Sequence, residues 1–303
     1  MNNRHRKIAT LSSARGFSVF ELLIALAILG LLLASIIPAI STAREASRRA
    51  DCAKNLYVLR DAMKQYSFDF GSYPRVKYDE KNNPNGWTSF TGPDDANPFA
   101  PDSSVQANDV TASMWLLVRG GYVTDTLWFI CPSSADTRDT LRNAAGMTVP
   151  ATQRGNFRSP ANLSYSMFSP FSSSIAFVWN DTLKSECAIL ADKTPGVVGD
   201  ASGASPEAQA SGNSPNHRRG GQNVLYADAS VRFETNAYVG AEYKRAYVDK
   251  QTGTYYPPVP GDNIYTALTP TPLAPGDKPP VAGTGVVGKQ YGPAWLYDSY
   301  LVP

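Results

Sequence analysis

Only two histidines, His5 and His217, occur in 303 residues, alongside three cysteines, Cys52, Cys131 and Cys187. The cysteines lie far apart with no CxxC pair, so a zinc site built on thiolates is not expected. No nucleophile motif of the GxSxG type is present. General acid–base chemistry would have to run through His217, with Asp228 or Asp192 orienting it, and catalysis is not expected on so thin a set. The run GTGVVG at 283–288 satisfies GxGxxG by letter alone. A dinucleotide site needs a strand before that motif and a helix after it; DKPPVA precedes it and KQYGPAW follows, so no nucleotide cofactor is expected. A basic excess is also missing. Net charge is +2, and the first 16 residues, MNNRHRKIATLSSARG, carry Arg4, Arg6, Lys7 and Arg15 without an acid. The remainder has 24 bases against 26 acids, which gives no reason to expect a nucleic-acid partner. No internal repeat is visible.

What the chain does have is one long apolar run. Phe17 to Ile40 is 24 residues with a single charge, Glu21. A membrane-spanning helix needs about 20 predominantly apolar residues. A cleaved secretory signal has an apolar core of only about 7–15 residues before a small-residue cleavage site, so this run is too long, although IPA and STA near its end resemble weak sites. A buried core helix would leave the basic leader unexplained. A single membrane anchor fits best, and the leader favours a cytoplasmic N-terminus, a preference tempered by Arg44, Arg48 and Arg49 beyond the run. Glu21 is discordant, because a carboxylate at the centre of a spanning helix costs roughly 2.5–3.5 kcal/mol on the insertion scale. Two partners are open to it. One is interfacial water. The other is the α-amino group that a cut between Gly16 and Phe17 would create, four residues away on the same helix face.

The stretch RGFSVFELLIALAILGLLLASIIPAI resembles the N-terminus of type IV pilins and of the pseudopilins of type II secretion. The shared pattern is a short basic leader, Gly16, the aromatic Phe17, Glu21 as fifth residue after the cut, and a long apolar helix. Pro38 falls where many members carry a helix-kinking proline. Ser18 and Phe20 depart mildly from the usual threonine and isoleucine or leucine. The resemblance covers about 50 residues and implies cleavage after Gly16 by a prepilin peptidase, and N-methylation of Phe17. It also implies pairing of Glu21 with the Phe17 amine of an adjacent subunit. Implied partners are the peptidase, other pilin or pseudopilin subunits, an inner-membrane assembly platform and the lipid bilayer.

Beyond Ile40 the segment STAREASRRADCAKNLYVLRDAMKQYSFDF holds no Pro or Gly. Cys52, Leu56, Leu59, Met63, Tyr66 and Phe70 recur at helical spacing and form one apolar stripe, which reads as core packing. GSYP from Gly71 ends the helix. The helix therefore has a transmembrane half and an amphipathic half, and Pro38 is expected to kink it. A polar, Pro- and Gly-rich loop follows. TASMWLLVRGGYV reads as a short helix ending at Gly120–Gly121. LWFICP, NLSYSMF, SIAFVW and ECAILAD read as strands, and QNVLYADASVRFE as a hairpin turning at Asp228–Ala229. From Gln251 ten of the 23 prolines fall in 53 residues, so a tail of loops is expected, laid over the sheet by Tyr255, Tyr256, Tyr265, Trp295 and Tyr297. The expected fold class is α+β: a long N-terminal helix packed on a small antiparallel sheet, with long loops. The organisation reads as leader 1–16, transmembrane and assembly helix 17–40, amphipathic stalk 41–70, head 71–250 and Pro-rich tail 251–303.

FICPSS at 129–134, ILADKTP at 189–195 and NHRRGGQNVLYADASVRF at 216–233 resemble the large pilin-like proteins of planctomycetes and their relatives, which carry a histidine-to-Asp-Gly motif downstream. Ten residues rather than nine separate His217 from Asp228, and Ala229 stands in place of the glycine. An alanine forced to positive φ is strained by about 1–2 kcal/mol. Either the turn has another geometry, or the loop after His217 carries a one-residue bulge. Asp192, His217 and Asp228 are candidates for a cation site; some secretion pseudopilins bind calcium near the C-terminus, so calcium is the ion considered. The alternative is a hydrogen-bonded loop. Cys52 lies on the inward stripe and Cys131 at the end of an expected strand, so a Cys52–Cys131 disulfide in an oxidising compartment is one reading. Three buried thiols are the other. The function expected is a non-enzymatic prepilin of the bacterial inner membrane. It would have a single pass, an extracytoplasmic head and no resident cofactor, and would be extracted into a pilus or secretion pseudopilus. The competing expectation is a single-pass envelope protein whose head binds a ligand and never polymerises.

Overall fold

The computed structural model describes residues 16–83, 86–143, 145–172, 177–194, 213–237, 239–240, 247–248, 255–256, 264–265 and 301–302. Helix α1 runs Val19–Phe70 and contributes to two compact units, one ending at Ala46 and the other beginning at Ser47.

In the first unit the helix is predominantly apolar on all sides from Val19 to Ile40. Leu22, Ile24, Leu31, Ile36 and Ile37 are all exposed, and the most apolar 18-residue window buries nothing. A helix with no polar face is stable only against lipid or other helices. The helical assignment continues through Pro38. Proline removes one backbone donor, and hydroxyl groups gather on the carbonyls around it: Ser41 Oγ and Thr42 Oγ1 donate to the Pro38 carbonyl at 2.8 and 2.9 Å, and Ser35 Oγ to that of Leu32 at 2.8 Å.

The second unit is the α+β head. The stripe on α1 is buried at Cys52, Leu56, Leu59, Met63 and Tyr66. Phe70, its last expected member, is 64% exposed and only leans on Tyr66, with ring centroids 4.5 Å apart. Helix α2, Val110–Arg119, is buried from Val110 to Val118. Its N-cap, Asp109, accepts from Ala112 N–H at 2.8 Å and also from Thr91 N–H and Asn156 Nδ2, both at 2.9 Å. Asn108 ties the preceding loop down by donating to the carbonyls of Asn83 and Gly86. Much of the polar stretch before α2 is thus stitched into the head.

The sheet contains β1 (Tyr165–Phe168), β2 (Ala188–Asp192), β3 (Gln222–Tyr226), β4 (Val231–Glu234) and a C-terminal strand, Leu301–Val302, all antiparallel. Its order is β4-β3-β2-β1 and then Leu301–Val302, which pairs with Phe168 and Met167. Ile264, Tyr265 and Leu301 are buried in the same core, so chain beyond Gln251 completes the sheet. Tyr247–Val248 and Tyr255–Tyr256 pair separately. Trp295 and Tyr297 lie outside the described residues.

One expected strand is corrected, and of another residues 174–176 lie outside the described residues. Within LWFICP, Thr126–Phe129 is a short 3-10 turn, because Asp125 caps it through Leu127 N–H at 2.8 Å. The chain then extends without joining the sheet: the Phe129 carbonyl accepts from Ser164 N–H and the Ile130 carbonyl from Asn55 Nδ2. Of SIAFVW, the described part, 177–179, forms no strand. Trp179 is instead locked by its indole N–H to the Pro74 carbonyl and by its own carbonyl to Tyr73 N–H.

One buried charge pair ties the middle of the head together. Arg154 makes a bidentate pair with Asp139 at 2.6 and 2.7 Å and stacks on Trp115, with its guanidinium 4.7 Å from the ring centre. Burial opposes ionisation of Asp139. The hydrogen bond from Arg154, those from Leu141 and Arg158 N–H, and the guanidinium charge together outweigh it and hold the carboxyl below its usual range. Because the folded value is depressed, this contribution is complete above the unfolded value of about 3.9 and is lost as pH falls through the folded one. Chemical denaturation of the detergent-solubilised chain should show a plateau from neutral pH to about 5 and a decline below about 4. Arg154→Met should cost about 3–5 kcal/mol, since it strands a buried carboxylate.

Candidate functional site

Two places in the chain concentrate functional chemistry. The first is the start of α1. Ser18 precedes the helix, its Oγ accepts from Glu21 N–H at 3.1 Å, and the Glu21 carboxylate accepts from Ser18 N–H at 2.8 Å. This is a capping box, in which two orphan donors of the first turn are satisfied reciprocally. The S-x-x-E spacing at 18–21 is the sequence signature of such a box, set here at the start of an apolar run. The carboxylate bends back toward the helix start, one residue from the Phe17 nitrogen. Gly16 and Phe17 are exposed; residues 1–15 lie outside the described residues.

The second place is a buried polar cluster in the head. Asp192 ends β2 and is fully buried. Its Oδ2 accepts from the backbone N–H of Asn223, its neighbour on β3, at 2.6 Å, and its Oδ1 from Asn216 Nδ2 at 3.2 Å. His217 Nε2 lies 3.3 Å from Oδ2, 3.2 Å from Asn223 Nδ2 and 3.5 Å from Cys131 Sγ. Cys52 Sγ, from the stripe of α1, lies 3.3 Å from Asp192 Oδ1 and 3.3 Å from the Tyr165 hydroxyl. Cys52 and Cys131 are joined as a disulfide with Cα atoms 5.2 Å apart, while Cys187 is buried outside it. Burial, and then the charge of Asp192, push the hydroxyls of Tyr165 and Tyr265 well above the ordinary tyrosine value.

His217 reaches this cluster through unusual backbone. His217, Arg218 and Arg219 all have positive φ, at 52°, 57° and 60°. Asn213 Nδ2 closes the turn on the Arg219 carbonyl at 3.1 Å, and Gly220 N–H bonds the His217 carbonyl at 3.0 Å. Gly221 follows at φ 140°, where a Cβ would sit 2.3 Å from the Glu234 carbonyl, so only glycine lets the chain enter β3 there.

Of the three residues proposed for a cation site, Asp192 and His217 meet. Asp228 lies beyond the opposite end of β3, in the hairpin loop, where it accepts from Ser230 N–H and Oγ and pairs with Arg232 at 3.0 Å. Ligand-type atoms of Cys52, Cys131, Asp192 and His217 instead lie within 4.8 Å of one another, all buried. Pro38 and Glu21 belong to the apolar unit and take no part.

Residues 41–186 match the model of a family described as "Protein of unknown function (DUF1559)". The matched stretch takes in α1 from Ser41, both bridged cysteines, α2 and β1, and stops short of β2 and therefore of Asp192 and His217. No curated protein and no solved structure matches the chain.

The hairpin resolves the question raised by Ala229. Ala229 N–H bonds the Tyr226 carbonyl and Tyr226 N–H the Ser230 carbonyl, both at 2.9 Å. The loop is thus three residues, 227–229, with its last in the left-handed region. Ala229 adopts φ 70°, so the strained geometry is kept rather than replaced. Ala229→Gly should raise unfolding stability by about 0.5–1 kcal/mol, the steric relief less the entropy of glycine, measured by the same denaturation.

Proposed function

We propose that this chain is a non-catalytic, pilin-like structural subunit. In this reading it is anchored in a bacterial inner membrane by residues 17–40, cut after Gly16 by a prepilin peptidase, methylated at Phe17, and drawn by an assembly platform into a pilus or secretion pseudopilus. The observation that carries this reading is an all-round apolar helix whose one acid, Glu21, is turned back toward the site of the proposed cut, ahead of an α+β head. The family match over residues 41–186 and the resemblance at 129–134 and 216–233 support it. Such a helix has two stable surroundings, lipid before assembly and other helices after it.

The capping box supplies a rival account of Glu21, since it satisfies the acid within one chain. Glutamine serves in a capping box as well as glutamate does, but cannot pair with an ammonium. Glu21→Gln should therefore leave membrane anchoring intact and abolish surface or periplasmic fibres, scored by shear fractionation and immunoblot. Fibres at wild-type level with Glu21→Gln, but not with Glu21→Ala, would assign the acid to capping alone. Intact mass of the membrane-extracted chain should show loss of residues 1–16 and gain of one methyl group. A full-length mass would point to the plain anchor with a ligand-binding head, and a cut after residue 43 to an ordinary secreted protein.

A further inference from the structure

The geometry points to a redox-gated binding site for a zinc-type divalent cation, formed by Cys52, Cys131, Asp192 and His217. With the cysteines joined, as in the structure, the site is closed. With them reduced, two thiolates, the His217 Nε2 and one Asp192 oxygen hold the ion.

The distances carry this. A tetrahedral zinc ion with bonds of about 2.0–2.3 Å sets its ligand atoms about 3.3–3.8 Å apart. Nε2 of His217 is 3.3 Å from Asp192 Oδ2 and 3.5 Å from Cys131 Sγ, Cys52 Sγ is 3.3 Å from the other carboxylate oxygen, Oδ1, and one ligand atom from each of the four residues lies within 4.8 Å of the others. Opening the disulfide lets the two sulfurs part to a similar spacing by side-chain rotation. Two sulfurs with an imidazole and a carboxylate suit zinc or iron(II) rather than calcium, which takes six to eight oxygens. The shell around the carboxylate is also in place. Asn223 N–H and Asn216 Nδ2 hold its two oxygens, as outer partners of metal ligands do, and the strained turn that supplies Asn216 also presents the His217 ring.

The two states interconvert in balance. A dithiol gives two electrons and two protons to the Cys52–Cys131 bond and leaves as its own disulfide. Binding of the cation to the two resulting thiols then releases those two protons. Either state ties α1 to the chain at Cys131; only the metal state adds β2 and the His217 turn to the same cross-link. A reducing compartment would favour the metal form and an oxidising one the disulfide form. This proposal stands apart from the question of fibre assembly.

Cobalt(II) is the probe. The full chain in detergent is reduced with a phosphine, freed of reductant under argon, and titrated with Co²⁺. The expected result is one ion per chain, with the strong visible bands of tetrahedral cobalt and thiolate charge-transfer absorption, displaced by Zn²⁺. The untreated disulfide form should bind none at the same site. Cys131→Ser and His217→Ala should each lower affinity at least tenfold, while Cys187→Ser should bind like wild type. Absence of tetrahedral cobalt in the reduced wild-type chain would overturn the proposal without recourse to any variant. So would equal binding by both redox forms, or unchanged binding by Cys131→Ser.

Discussion

The head is organised around the buried carboxylate of Asp192. A carboxyl group away from water must be matched by hydrogen-bonding partners, and here they come from a strand and from the turn before it. Asn223 reaches it from β3, and Asn216 and His217 from the turn before β3, while the bridged sulfur of Cys52 on α1 lies 3.3 Å from it without a proton to donate. Tyr265 donates its hydroxyl to the Asp192 carbonyl at 2.6 Å, drawing in chain from the far C-terminal side. Removing the acid would leave several buried donors with nothing to meet. Its neighbours are therefore fixed in position by the need to satisfy it, which gives a polar centre inside an otherwise apolar core its definition.

A second acid, Glu21, imposes a different constraint on the other unit. Its apolar stretch is long enough to cross a membrane, while the capping box defines where the helix begins. The same carboxylate can serve both. It accepts the Ser18 N–H, and a cut at Gly16 would create an ammonium on the residue before Ser18. Placing the acid at the third helical position, rather than deeper, keeps its desolvation small and still leaves it on the face of the first turn.

Periodicity made much of this readable. The stripe from Cys52 to Tyr66, α2, β1, β2 and the β3–β4 hairpin all follow from spacing and turn residues. What failed did so for local reasons. LWFICP has strand composition, but Asp125 at its start offers a cap, and a short-range hydrogen bond outcompetes a sheet edge. Phe70 keeps the helical spacing yet falls at the end of the helix, where no neighbour covers it. The Cys-His-Asp cluster was invisible because its members are separated by tens of residues and carry no local spacing rule. Only half of it, Asp192 and His217, was suggested, through the resemblance at 189–195 and 216–233, and Asp228 came along with it because it neighbours the turn in sequence rather than in space. The sequence around Cys52 and Cys131 suggests their pairing, but nothing local to either shows that both face Asp192 and His217.

The backbone at 217–219 is held at positive φ throughout. Three successive non-glycine residues at positive φ cost of order 1–2 kcal/mol each, together a sizeable share of the roughly 5–15 kcal/mol by which a domain is stable. A looser connection between Asn213 and β3 would avoid that cost. The turn is held by Asn213, by the Gly220 N–H, and by burial of the imidazole against Phe233, whose ring also carries the Arg49 guanidinium at 4.1 Å. Strain that is over-determined by its surroundings marks a position where direction matters more than ease of folding. The direction in question is that of the His217 ring, which the turn aims at Asp192 and at the sulfur of Cys131. A histidine needed only to fill space could have been replaced by an apolar residue on a relaxed loop. The chain instead sustains the strain and keeps the imidazole facing a carboxylate and two sulfurs.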